Sequence, residues 1–206
     1  MKHTKMLGLA VMAAMALMAF AGVGTASATK LCQNNANTTT CSAPYASGTV
    51  IHANLTGKAT LETSGGTVLD VCGISTVEGK TSNVGSSTET VKGAITALTW
   101  EECTKETKTI TPGELEIHSI SGTDNGTLTA KNTQVTINGL FENESCIYGA
   151  GTGTDLGTVV GGAPATLSIS TLVKKQTGSG ALCPFEARWT ASYAVDKPNP
   201  LYVSVG

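Results

Sequence analysis

An all-β fold, an antiparallel β-sandwich or barrel-like double sheet with three disulfides behind an N-terminal signal helix, follows from three observations on the sequence. Short apolar-alternating segments recur through residues 49–206 between clusters of Gly, Asn, Asp and Ser, the pattern of many short strands joined by turns. No stretch there carries the 3.6-residue apolar spacing that a surface helix needs. Six cysteines, Cys32, Cys41, Cys72, Cys103, Cys146 and Cys183, form an even set without a C-x-x-C pair. In an exported chain that set points to bridges, not zinc.

Residues 1–28 read as a signal peptide. Lys2 and Lys5 precede an uncharged run from Leu7 to Val23, and Ala26-Ser27-Ala28 supplies a small-x-small cleavage site. Leu31 stands before Cys32 where a lipoprotein needs a small residue, so no lipid anchor is expected. Removal of residues 1–28 leaves 178, enough for a substantial core, and a soluble product with no membrane association. Residues 29–48 are polar and turn-rich and read as a disulfide-closed end outside the core.

The remaining chain, 49–206, reads as the β domain. Strands are expected at 49–55, 59–62, 67–72, 90–100, 114–121, 127–130, 134–137, 140–142, 146–148 and 165–172. The cleanest is 186–195, where Ala187, Trp189, Ala191, Tyr193 and Val195 share one face and Glu186, Arg188, Thr190 and Ser192 the other. Lys197-Pro198-Asn199-Pro200 interrupts it, and Leu201, Val203 and Val205 resume the alternation. Gly65-Gly66, Asn125-Gly126 and Asn138-Gly139 are hairpin signals, because type I′ turns need positive φ at both central residues. The cysteines allow fifteen connectivities. Sequential pairing, Cys32 with Cys41, Cys72 with Cys103 and Cys146 with Cys183, is expected because the two later pairs flank similar hairpin-like stretches. Each bridge is worth about 3–4 kcal/mol on the chain-entropy account. A faint echo of strand, cysteine, turn and tryptophan suggests two related β units, about 49–132 and 133–206.

Charge excludes one class of partner. Without Lys2 and Lys5, eleven basic residues face fifteen acidic ones, and Arg188 is the sole arginine. Nucleic acid is not expected, since affinity for phosphate comes from clustered Lys and Arg. His52 and His118 have no G-x-S-x-G nucleophile to serve and no H-x-H or H-E-x-x-H spacing for a metal, so no enzyme activity, cofactor or metal is expected. The carboxylate pairs Glu101 and Glu102, Glu114 and Glu116, and Glu142 and Glu144 are what a glycosidase would require, and equally what keeps a sheet face soluble. The glycine-rich segment from Gly149 to Gly157 lacks the G-x-G-x-x-G register and reads as a flexible hairpin loop. Trp189 belongs to its strand's apolar face and reads as core. Trp100, at a strand end before two glutamates, and Tyr148 and Asp155, beside and within that loop, are the candidate ligand-binding residues.

The run Leu182-Cys183-Pro184 through Trp189, Tyr193, Pro198, Pro200 and Leu201-Tyr202-Val203 resembles the ending of small secreted proteins of soil actinobacteria that have no assigned activity. The resemblance covers about the last quarter of the chain and, beyond it, the cysteine rhythm. It implies export and a β fold and no mechanism. The expected function is a non-catalytic secreted or cell-envelope protein in a structural or surface-interaction role, meeting cell-wall or extracellular glycan or other surface proteins through strand edges. A glycan- or small-ligand-binding module is the alternative, and a carboxylate-dependent hydrolase ranks behind it. Intact mass spectrometry under alkylation tests the cysteine reading. The native protein should take up no thiol label and the reduced protein six, and labelling of the native protein would contradict it.

Overall fold

The computed structural model describes residues 28–35, 41–141 and 144–206. The signal-helix assignment lies outside these residues. Fourteen strands and no helix occupy the described chain. In order they are β1 (Lys30–Cys32), β2 (Val50–Leu55), β3 (Ala59–Glu62), β4 (Val68–Thr81), β5 (Val91–Cys103), β6 (Glu106–Thr111), β7 (Glu114–Ser119), β8 (Gly126–Lys131), β9 (Thr133–Phe141), β10 (Glu144–Ala150), β11 (Thr154–Val160), β12 (Ala165–Lys175), β13 (Glu186–Lys197) and β14 (Tyr202–Ser204).

Of the two expected architectures the barrel-like one is realised. Long staves run up and down in chain order, each antiparallel to the next: β2 with β3, then β4, β5, β6 with β7, β8 with β9, β10 with β11, β12 and β13. The last returns to the first. Tyr193 of β13 stands opposite Leu55 of β2, and Trp189 opposite Leu61 of β3. Four staves are composite and bend midway, at 56–58, at Pro112-Gly113, at Asn132 (φ 59°) and at 151–153. The bend at Gly113 is obligatory for glycine. Its φ is 82°, and a Cβ there would lie 2.5 Å from Lys131 O and Thr133 Oγ1. Asn132, where the sequence echo placed a boundary between two units, is the bend of a single stave.

Alternation fills the interior. Along β12, Ala165, Leu167, Ile169, Thr171 and Val173 are buried; along β13, Ala187, Ala191, Tyr193 and Val195 are buried while Arg188, Thr190 and Asp196 face out. Apolar inside and polar outside is the reverse of a membrane-spanning barrel's lipid-facing surface. Two core clusters lie along the axis. One is built around Leu128, Val159, Tyr193 and Val195, the other around Leu61, Ile137, Tyr148 and Val173.

The two ends are finished differently. At one, β1 pairs with β14 and lays Leu31, Leu201 and Val203 over the interior at 2 % exposure or less. The reading of residues 29–48 as lying outside the core is therefore corrected for its first residues, 29–32. Thr29, Leu31 and Cys32 are fully buried because the barrel mouth needs apolar residues to close it. At the other end, Cys146–Cys183 ties the β12–β13 loop to β10, and Cys72–Cys103 joins facing positions of β4 and β5. The third bridge is Cys32–Cys41, so all three pair sequentially.

Two turn assignments divide. Gly65-Gly66 turns β3 into β4, with Gly66 at φ 81° and its N–H donating to Thr63 O at 2.9 Å. Asn138-Gly139 is not a hairpin turn. Both residues lie inside β9, and Gly139 (φ 73°) sits where Phe141 pairs with Glu144 but Asn138 pairs with Ser145, so its positive φ serves a bulge. The assignment of Gly149 to Gly157 as a flexible loop is also corrected. Gly149 and Ala150 are the last two residues of β10, and Thr154 onward is β11, laddered to β8 and β12 on its two sides.

Asp70, 3 % exposed, organises the β5–β6 turn. Its carboxylate accepts from Thr104 Oγ1 (2.7 Å), Lys105 N (2.9 Å), Thr107 Oγ1 (2.5 Å) and Val71 N (2.9 Å). Asp70→Ala leaves those donors unpaired and should lower unfolding stability by about 3 kcal/mol in urea at unchanged m. A loss under about 0.5 kcal/mol would show that the clamp is not structural.

Candidate functional site

The lower part of the interior, nearer the Cys146–Cys183 end, is not fully packed. A cavity of about 60 Å³ lies there, walled by Asp70, Trp100, Thr107, Tyr148, Val173 and Trp189 among others. Residues from β3, β4, β5, β6, β9, β10, β12 and β13 contribute, so every stave reaches it. This follows from alternation: Trp100 stands opposite Ser75, 1 % exposed, and Trp189 stands between Thr171 and Leu61, also buried. Both indoles therefore point inward.

The two rings meet edge to face, with centroids 5.7 Å apart and planes at 66°. Trp100 spends its indole N–H on Thr109 Oγ1 of β6 at 3.0 Å, and Thr109 donates onward to Leu98 O at 2.7 Å. Those bonds cross a seam, because β5 and β6 are neighbours without a backbone ladder between them. Trp189 is different. Its Nε1 is buried and has no acceptor; among the described residues one other buried side-chain polar atom lacks a hydrogen-bond partner, the acceptor Asn34 Oδ1, outside this wall. A buried indole N–H ordinarily finds a partner. The face of a neighbouring ring is a second-order substitute.

Four other polar side chains on the wall, Asp70, Thr107, Thr133 and Tyr148, are engaged. Tyr148 donates its hydroxyl to Pro184 O at 3.3 Å, and burial pushes its pKa up to about 12. Thr133 donates to Pro112 O at 2.9 Å, and Thr107 to Asp70. Asp70 also lies near Cys72 and Cys103, all within 4.8 Å, but both sulfurs are spent in the disulfide and offer no thiolate to a metal.

Two of the three ligand-binding residues expected from sequence, Trp100 and Tyr148, share this cavity. Neither forms an exposed stacking face: Trp100 is partly buried and Tyr148 is 3 % exposed. Asp155 is elsewhere. It lies on β11 and accepts from Gly157 N at 3.0 Å across a bulge, so its carboxylate shapes the strand. Trp189, read as core, is both core and cavity wall. Sequence reasoning missed Thr107 and Thr133; the signal available was that the chain's two tryptophans each lie close to a cysteine that closes a hairpin.

The carboxylate pairs do not converge here. Glu114 pairs with Lys131 at 3.0 Å, Glu116 accepts from the Thr90 hydroxyl, and Glu144 accepts from Leu182 N at 2.9 Å. Glu101 and Glu102 are exposed, and Glu142 lies outside the described residues. His52 is on the outer face with Nδ1 2.6 Å from Asp196 Oδ1, and Asn54 Nδ2 donates to Asp196 Oδ2 at 3.1 Å. No protein-family model matches the chain, nor does any curated protein or solved structure.

The hydrogen bond from His52 holds the Asp196 carboxyl below its ordinary range. A depressed carboxyl pKa favours the fold above the unfolded value, and that contribution disappears as pH falls through the folded value. Carboxyl-detected NMR should give Asp196 a midpoint below the usual aspartate value, rising in His52→Ala. An Asp196 midpoint unmoved by that substitution would contradict the pairing.

Proposed function

We propose that this chain is an exported, non-catalytic binding protein that holds one small, mainly apolar molecule carrying a hydrogen-bond acceptor inside its barrel. The observation that carries the reading is Trp189 Nε1, a buried donor left unpaired on the wall of an apolar cavity. Leaving such a donor unmade costs about 1–3 kcal/mol, which a bound acceptor would recover. Eight strands enclose an interior just wide enough for side chains to fill or for one small ligand to share. Three disulfides suit an oxidising, extracellular-type environment; export of the mature chain to the medium or cell wall belongs to the proposal.

The other expectations have less support. Closure of β13 on β2 and β3 takes away most of the free edges on which a polymerising surface component would rely. A glycan face needs exposed rings, and burial of Tyr148 leaves the nominated set without one.

The chain has two tryptophans, and both line the site, so intrinsic fluorescence reports on the cavity directly. Titration with nonanone, a methyl ketone with one acceptor, should change the emission saturably. Trp189→Phe, which keeps the ring and removes the donor, should weaken binding about fivefold by calorimetry, the worth of about 1 kcal/mol of hydrogen bond. Absence of saturable binding to the wild-type protein, or equal affinity in the two proteins, would overturn the reading.

A further inference from the structure

The lower cavity does not stand alone. A second, of about 30 Å³, shares Thr133 and Trp189 with it and lies among Leu98, Leu128, Leu156, Ile169 and Tyr193. A third, of about 60 Å³, shares Val77, Ile95, Leu115, Leu128 and Leu167 with the second and ends beneath Leu31 and Leu201 of the closed mouth. The three follow one another through the interior. From Trp189 to Val195, β13 alone spans roughly 20 Å of strand beside them.

We infer that the molecule held in the barrel is a single neutral, linear hydrocarbon chain bearing a carbonyl, as in a ketone or ester, with that oxygen at Trp189 and its tail running toward the closed mouth. The inference rests on the binding reading above and names its ligand class.

Shape decides for a chain. None of the cavities, at about 60, 30 and 60 Å³, approaches the roughly 150 Å³ of an apolar cavity that takes benzene. A compact ring has no room in any one of them. A chain occupying all three in sequence needs only the cross-section of a methylene at each partition. Chemistry along the path agrees. Beyond Trp189 the walls are mainly aliphatic, with Tyr193 Oη bonded to Ser75 Oγ at 3.1 Å and Thr81 Oγ1 to Ala46 O at 3.1 Å; Lys80 and Lys92, both exposed, line only the third cavity, at the far end. A tail running that way crosses the second cavity, where Thr133 and Tyr193 are the polar side chains besides Trp189 and both are engaged.

Charge disfavours a carboxylate head at Trp189. The lower cavity is lined by no Lys, Arg or His, and the one ionisable acid on its wall is Asp70. A carboxylate head beside Trp189 would be desolvated without a counter-charge, next to another acid. An ester or ketone oxygen accepts the same indole hydrogen bond without that cost.

A homologous series of methyl ketones, from pentanone through nonanone to tridecanone, tests this by calorimetry on the intact, oxidised protein. Affinity should rise about fourfold per methylene until the third cavity is filled. Methyl dodecanoate should bind at least tenfold more tightly than dodecanoate. Val77→Phe, placed where the second and third cavities meet, should end the rise early and leave the affinity for pentanone unchanged. The wild-type series decides even if that variant does not fold. Pentanone binding as tightly as tridecanone, cyclohexanone binding more tightly than nonanone, or dodecanoate matching its ester would each overturn the linear neutral ligand while leaving a binding site in place. Failure of every ketone to bind would overturn the binding reading along with it.

Discussion

The hydrogen-bonded ladder between the last stave and the first is the constraint on which the rest depends. Once β13 pairs with β2 along Tyr193 to Lys197 and with β3 along Arg188 to Thr190, the meander becomes a closed wall, and every inward residue of every stave is committed to one narrow interior. Closure also dictates where irregularity is needed. Four composite staves bend at mid-height, and the turn at Asp70 brings β6 beside β5 without a ladder. The β5–β6 seam is instead crossed by the side chain of Thr109.

A barrel of this size turns packing into function or into loss. Two large aromatic rings meeting across the interior cannot tile its lower part as aliphatic side chains would, and Trp100 against Trp189 leaves a void beside them. A void of 60 Å³ corresponds to about 1.4 kcal/mol at roughly 24 cal/mol per Å³. With the unpaired indole donor the local cost is a few kcal/mol, a sizeable part of a domain's usual margin of 5–15 kcal/mol. Phenylalanine in place of Trp189 would remove the polar part of that cost.

The fold was legible where alternation was strong. Along β13, small and aromatic residues alternate with Glu, Arg, Thr and Ser over ten positions, and no helix shares that period. Gly65-Gly66 and the scattered cysteines were legible for similarly local reasons. What stayed hidden depended on distant partners. Strand β11 begins in a run of glycines and holds its place through β8 and β12. Strand β6 is mostly Thr, Glu and Lys, with little apolar signal of its own. Asn138-Gly139 met the local requirement for a turn, and the bulge that uses Gly139 is set by pairing with β10. The site was half legible. Trp100 and Tyr148 were nominated as aromatic residues near loops, but in a barrel the core and the cavity are the same place, so periodicity marked Trp189 as buried without revealing what it was buried against.

The most direct test of the account is the pair of indole N–H resonances in the ¹⁵N NMR spectrum of the folded protein, assigned with Trp100→Phe and followed during titration with tridecanone. The account predicts that the Trp189 resonance moves downfield on saturation, as an unpaired donor gains an acceptor, by more than that of Trp100, which is already bonded to Thr109. Saturation with the Trp189 resonance unmoved, or no saturation at all, would contradict the claim that this donor is held ready for a ligand.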